Sequence, residues 1–177
     1  VTLRRRACVA ALASVATVGS TTLAGCSASP VSTFATLADA RRAIESLAQP
    51  GWRHAGAWNV PQVLNHAAQS VEYSLRGFPQ PRSALFQGTL GKAAFAVFDA
   101  RGRMSHGLDE PIPGAPALAA GDPLAPAIER LLKSLAEFEA HRGPLAPHFA
   151  YGALDKAQYE RAHLMHLANH WTEFART

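Results

Sequence analysis

From residue 36 onward, apolar side chains recur at three- and four-residue spacing, and no segment alternates with period two, so the pattern predicts an all-α protein. The first helix is expected over 36–49. Thr36 is placed to cap it, Asp39 sits in its first turn, Leu37, Ile44 and Leu47 form an apolar stripe, and Pro50-Gly51 ends it. A second helix opens at Asn59, with Pro61 in the first turn and Gln62 at the capping-box position, and runs to Arg76 before Gly77-Phe78-Pro79. A third segment, 82–100, is rich in Ala, Leu and Phe. Gly88 and Gly91 interrupt it, which either weakens the helix or permits close packing. Residues 101–121 contain Pro111, Pro113 and Pro116 and predict a long ordered connection. Asp122-Pro123 starts a fourth helix that reaches His141, with Gly143-Pro144 as its stop. After a loop carrying His148, Phe149 and Tyr151, Asp155 caps a final helix, Gln158 completes the box, and the helix continues nearly to the C-terminus. Amphipathic helices of this number and length predict a bundle. No internal repeat is visible.

The first 26 residues do not fit that pattern. Arg4, Arg5 and Arg6 precede an uncharged apolar run from Ala7 to about Val18, and Leu23-Ala24-Gly25-Cys26 follows. A positive start, a short apolar core and a small-residue cleavage site make up a secretory signal. The run is too short to span a bilayer, which takes about 20 apolar residues. Leu-Ala-Gly-Cys resembles the lipobox of bacterial lipoproteins, in which the Cys is diacylated before cleavage. This divides the chain into a signal (1–25), a small-residue tether beginning at Cys26 (26–32) and one helical domain (33–177). The expected location is the bacterial periplasm or cell envelope, with the lipid on Cys26 holding the domain to the membrane. The alternative is an ordinary signal cut nearby, with Cys26 unmodified. Arg5-Arg6 also opens like a twin-arginine signal, but Ala7-Cys8-Val9 departs from the rest of that motif, so the export route stays open.

The segment changes the charge argument. It holds three of the 17 basic residues and none of the 13 acidic ones, leaving 14 against 13 in the remainder. The basic balance therefore belongs to the signal, and there is no nucleic-acid footprint. Cys8 is discarded and Cys26 lipidated on this reading, so no disulfide is expected. A domain of about 145 residues is large enough to be held by its core alone.

Eight histidines are many for this length, and three lie on the final helix. At about 100° per residue, with His166 at zero, His170 falls at about 40°, His163 at about 60° and Tyr159 at about 20°, flush with the apolar face. Histidines one turn apart on a buried edge can hold one metal, although such pairs also arise by accident on amphipathic helices. His66, on the second helix, is the best third candidate. Three neutral imidazoles with an open position describe a catalytic-type Zn²⁺, Ni²⁺ or Fe²⁺ centre. Glu173, Gln62 and Gln69 are candidate acceptors for the nitrogens turned away from the metal. His54, His106, His141 and His148 read as surface or loop-packing residues, and Trp171 and Phe174 as core.

The stretch Trp58-Asn59-Val60-Pro61-Gln62-Val63-Leu64-Asn65-His66 through Tyr73-Ser74 resembles the second-helix signature of the DinB/YfiT-like superfamily. His148-Phe149 through Leu154, and His163-Leu164-Met165-His166-Leu167-Ala168-Asn169-His170-Trp171, resemble its tail. Met104 with Pro111-Ile112-Pro113-Gly114-Ala115-Pro116 resembles one branch of it, a domain of unknown function. The match covers roughly residues 33–176. The resemblance implies a four-helix bundle, here with an extra short N-terminal helix and long loops. It also implies a three-histidine metal site, carried over as His66, His166 and His170, with His163 behind the ligands. Asn169 departs from the branch, which commonly has a histidine there, but it points about 60° away from the ligand pair.

Two functions stay open. One is a metal-dependent enzyme acting on a small-molecule substrate, either a thiol-dependent transferase of the kind the resemblance implies or a hydrolase using bound water. Export argues against the thiol chemistry, because cytosolic thiol cofactors are scarce in the envelope. The other is a non-catalytic metal-binding or scaffold lipoprotein. A protein side chain closing the fourth coordination position favours the second reading, and an open position beside an apolar cleft favours the first.

Overall fold

The computed structural model describes residues 33–177. The segments expected to be an export signal and a tether, with Cys26, lie outside the described residues. The described chain is mostly helical: α1 (Leu37–Ser46), α2 (Val60–Arg76), α3 (Ala84–Phe86), a π-helical turn (Gln87–Gly91), α4 (Lys92–Arg101), α5 (Leu124–Ala140) and α6 (Lys156–Trp171). Two short strands, β1 (Trp52–His54) and β2 (Phe174–Arg176), pair antiparallel with His54 opposite Phe174.

The helix starts follow the capping chemistry. The Thr36 hydroxyl accepts from the Asp39 N–H, and full capping boxes form at Asn59 with Gln62 and at Asp155 with Gln158. α2 packs along α5, α6 lies against α2, and α1 covers the α5–α6 side. Between them sits a core that includes Ile44, Leu64, Leu131, Leu135, Phe138 and Trp171. Each such side chain stabilises the fold by about 1.5–3 kcal/mol through removal of apolar surface from water. A smaller cluster of Phe95, Met104, Ala162 and Met165 joins α4 and the long connection to α6.

Three departures from the sequence expectation have local causes. The third helical segment is broken by the π-turn because the carbonyl of Ala150 presses on Gly91. A Cβ there would stand 1.9 Å from that oxygen, whereas nothing approaches Gly88. Close packing is therefore the role of Gly91. The final helix stops at Trp171 instead of continuing, and Phe174–Arg176 turn back as β2 to pair with β1. Three-residue strands are too short for an alternation to register.

The connection between α4 and α5 is ordered by side-chain amides of α2. Asn59 donates to the Ala120 carbonyl (2.7 Å), Gln62 to that of Leu118 (3.1 Å) and Gln69 to that of Pro116 (3.1 Å). The connection thus runs antiparallel to α2. Asn65 extends the same strip by donating to the Asp122 carboxylate, and the Arg130 guanidinium bridges Asn65 and Glu72. Met104 near its start and Ile112 at its middle are buried.

Candidate metal centre

α2 and α6 bring His66, His166 and His170 together. One nitrogen from each lies within 4.8 Å of the other two. The Nε2 atom of His166 is 3.1 Å from Nε2 of His66 and 3.1 Å from Nε2 of His170. His66 and His170 are buried, and His166 keeps residual exposure on a cavity wall. Trp58 leans on His66 at 5.0 Å and stacks near-parallel to His170 at 6.4 Å between ring centres, closing the far side.

Burial, reinforced by the neighbouring imidazoles, lowers all three proton affinities. His66 is brought down to about 4, His170 to about 3, and His166 well below the usual histidine value. Three neutral rings then pose a hydrogen-bond problem that protein atoms leave unsolved. The single site on His166 Nε2 is either one hydrogen or one lone pair, so its two neighbours at best share it and neither gets a full hydrogen bond. A cation between the rings accepts all three lone pairs at once. The observed 3.1 Å edges lie close to the roughly 3.3 Å nitrogen–nitrogen edge of a tetrahedral site with Zn–N bonds of about 2.0–2.1 Å. The donor set therefore fits a divalent metal with one position open.

The surroundings differ from the expected arrangement. Gln62 and Gln69 spend their amides on the α4–α5 connection, and Glu173 lies 3.4 Å from Nε2 of His54. None of them is hydrogen-bonded to a ligand histidine. The Nδ1 atoms of His66 and His170 are sealed and lack a partner among the described residues. His163 does stand behind the triad: it is buried and donates from Nε2 to the Ser74 hydroxyl at 3.3 Å, while that hydroxyl donates to the Val71 carbonyl.

Beside the triad opens a cavity of about 140 Å³, lined by His66 and His166 at the triad and by Ser70, Met104, Ile112, Phe149 and Tyr151, with Glu110 also contributing. Two histidines that sequence reasoning assigned to surface or loop packing also line it. His106 arrives on the long connection, its ring 5.1 Å from that of His166 and 5.7 Å from that of His170, with a 2.7 Å hydrogen bond between Nδ1 and the Gly107 carbonyl. His148 comes from the loop before α6. No helical periodicity could have flagged either residue, because long-range packing delivers both.

A family model described as a protein of unknown function (DUF1569) matches residues 31–177, which takes in all of the described residues. No curated protein and no solved structure matches the chain.

Proposed function

The chain belongs to the DUF1569 family of proteins of unknown function, and from that premise we propose that it binds one divalent metal through His66, His166 and His170 and acts on a small molecule in the adjoining cavity. The observation behind this reading is the convergence of three neutral imidazole nitrogens, Nε2 of His166 standing 3.1 Å from that of His66 and from that of His170, beside an apolar cleft. Three imidazoles suit Zn²⁺, Ni²⁺ or Fe²⁺. Such a metal supplies an electrophilic centre that lowers the pKa of a coordinated water or thiol. The chain's own contribution is positioning. His66 and the His166–His170 pair sit on two packed helices, so the site geometry does not depend on loop motion. Met104, Ile112 and Phe149 keep the cavity wall apolar and strengthen polar contacts made inside it.

The same reading takes the helices as a DinB-like four-helix bundle with α1 as the additional short helix, and takes the chain as an exported lipoprotein anchored through Cys26. The order of the second-helix and tail motifs supports the first, and the sequence 4–26 supports the second. In the envelope, hydrolysis is the better-supplied chemistry, since water needs no cytosolic thiol.

One observation favours the second, non-catalytic reading. The His106 ring stands nearly as close to the rings of His166 and His170 as the triad rings stand to one another. If this fourth imidazole fills the open position, the protein is a metal-binding module.

Metal analysis of the purified domain is the deciding measurement. Wild type should carry about one equivalent, and His166→Ala should carry almost none. Equal and negligible metal in both would end the proposal. An ester and amide hydrolysis screen of the metal-loaded protein, with His106→Ala alongside, separates the two readings. For the anchor, radiolabelled fatty acid should be incorporated by the wild type and lost in Cys26→Ser.

A further inference from the structure

Like His106, whose Nδ1 donates to the Gly107 carbonyl, His148 is a cavity-lining histidine whose tautomer is fixed by the backbone. It sits in a tight loop closed by a two-way bridge, its N–H to the Gly152 carbonyl at 2.8 Å and the Gly152 N–H back to its carbonyl at 3.0 Å. Gly152 holds φ at +75°, which suits a glycine. The loop is clamped from outside as well: the Arg82 N–H donates to the Phe149 carbonyl at 2.8 Å, and Gln87 donates to it at 3.1 Å. Inside the loop, the N–H groups of Ala150 and Tyr151 both donate to Nδ1 of His148, at 3.1 and 3.2 Å. An Nδ1 that accepts two hydrogen bonds carries no proton, so the neutral ring carries it on Nε2.

The ring is held in place by contact on both sides. Tyr151 stacks on it at 4.2 Å with an interplanar angle of 8°, and Phe78 packs at 5.0 Å. Burial keeps it neutral, with its pKa brought down to about 3. The Nε2 hydrogen finds no acceptor among the described residues. Yet Nε2 is not sealed as the Nδ1 atoms of His66 and His170 are, and the ring forms part of the cavity wall. A fixed, neutral donor with no partner among the described residues therefore belongs to a ring in the wall of a small cavity.

We infer that His148 is a specificity-determining residue of this cavity, donating from Nε2 to the carbonyl oxygen of a compact neutral ligand with an aryl or alkyl body. Three features define that ligand class. The cavity's 140 Å³ is below the roughly 300–1,000 Å³ of sites for drug-sized molecules, so the ligand is compact. Met104, Ile112, Phe149 and Tyr151 offer an apolar and aromatic wall to its body. No Lys or Arg is among the described lining residues, while Glu110 is, so a neutral carbonyl is favoured over a carboxylate. The inference does not need a metal in the triad and can be tested without one.

The experiment uses metal-free domain and three probes: benzamide, benzoate and toluene. Histidine ¹H–¹⁵N spectra should show His148 protonated on Nε2, and benzamide should move that resonance while toluene leaves it in place. Benzamide should bind more tightly than benzoate. In His148→Asn, the side-chain oxygen takes the place of Nδ1 and still accepts from Ala150 and Tyr151, but the amide N–H groups lie near the Cδ2 position and no donor remains at Nε2. Benzamide affinity should then fall about ten-fold, as expected for the loss of one hydrogen bond of roughly 1–1.5 kcal/mol, with toluene affinity unchanged. His148→Gln, which returns an N–H near the Nε2 position, should recover most of the loss, a pattern that a purely structural role would not produce. A proton on Nδ1, benzamide affinity equal in wild type and His148→Asn, tighter benzoate, or no binding of benzamide at all would each overturn the inference. Metal binding by the triad, read separately, stands or falls on its own result.

Discussion

His148 and His163 are buried without a charged partner, and that gives the fold a defined sensitivity to acid. Desolvation lowers both to about 3 in the folded protein, with His163 adding to the effect on His148. In the unfolded chain both return to about 6.5. Between those values the unfolded state binds protons that the folded state refuses, so stability is intact above pH 6.5 and is lost progressively as pH falls toward 3. The slope approaches about 1.4 kcal/mol per pH unit for each group, or on the order of 2 kcal/mol per histidine between pH 7 and pH 5. Urea midpoints over that range should fall steeply for wild type. His163→Gln keeps a donor toward Ser74 but cannot titrate, so its slope should be shallower by about one proton. An unchanged slope would mean that His163 is not held neutral. At this scale the sequence was informative only where periodicity operates. The stripe of His163, His166 and His170 followed from 100° per residue, whereas the tautomer of His148 depends on two amides in an irregular turn, which no spacing rule describes.

The helical elements were legible because their starts are local. Thr36, Asn59 and Asp155 cap α1, α2 and α6 as their side-chain chemistry requires. The break between α3 and α4 was half legible: two glycines marked it, but only the packed structure separates their roles. Gly91 admits the Ala150 carbonyl, and Gly88 faces open space. Opposite outcomes follow for the same substitution. Gly91→Ala forces a Cβ into a backbone oxygen that no side-chain rotation can move, and should cost about 2 kcal/mol or more. It should also displace the 148–152 loop, visible as shifts of the Ala150 and Tyr151 amides. Gly88→Ala gains helical preference without a clash and should be neutral or stabilising by up to about 1 kcal/mol. If Gly91→Ala were as well tolerated as Gly88→Ala, the π-turn would owe its place to something other than this contact. β1 and β2 were not legible, since their partner segments lie at opposite ends of the described chain and neither is long enough to show a period.

Over the whole molecule, the triad joins residues 100 apart in sequence, His66 on α2 and His166 on α6. Elsewhere the helices meet through apolar burial and ion pairs such as Arg130 with Glu72, but at this point α2 and α6 meet through nitrogens that mutual hydrogen bonds cannot fully satisfy. A metal that binds the folded chain and finds no such geometry in the unfolded one stabilises the entire fold by mass action. At free metal about 100-fold above its dissociation constant the gain is about 2.7 kcal/mol. For a domain of this size, with about 2–4 °C per kcal/mol, the melting temperature should rise by roughly 5–11 °C. The rise should depend on metal concentration and vanish with chelator, and it should be absent in His66→Ala and His170→Ala. His106→Ala discriminates further. If the fourth imidazole is not a ligand, its loss leaves the metal-dependent rise intact; if it closes the site, the rise shrinks in proportion to the weakened affinity. A wild-type melting temperature indifferent to Zn²⁺, Ni²⁺ and Fe²⁺ alike would mean that the three rings are packed without a metal and that the cavity beside them works by its own side chains alone.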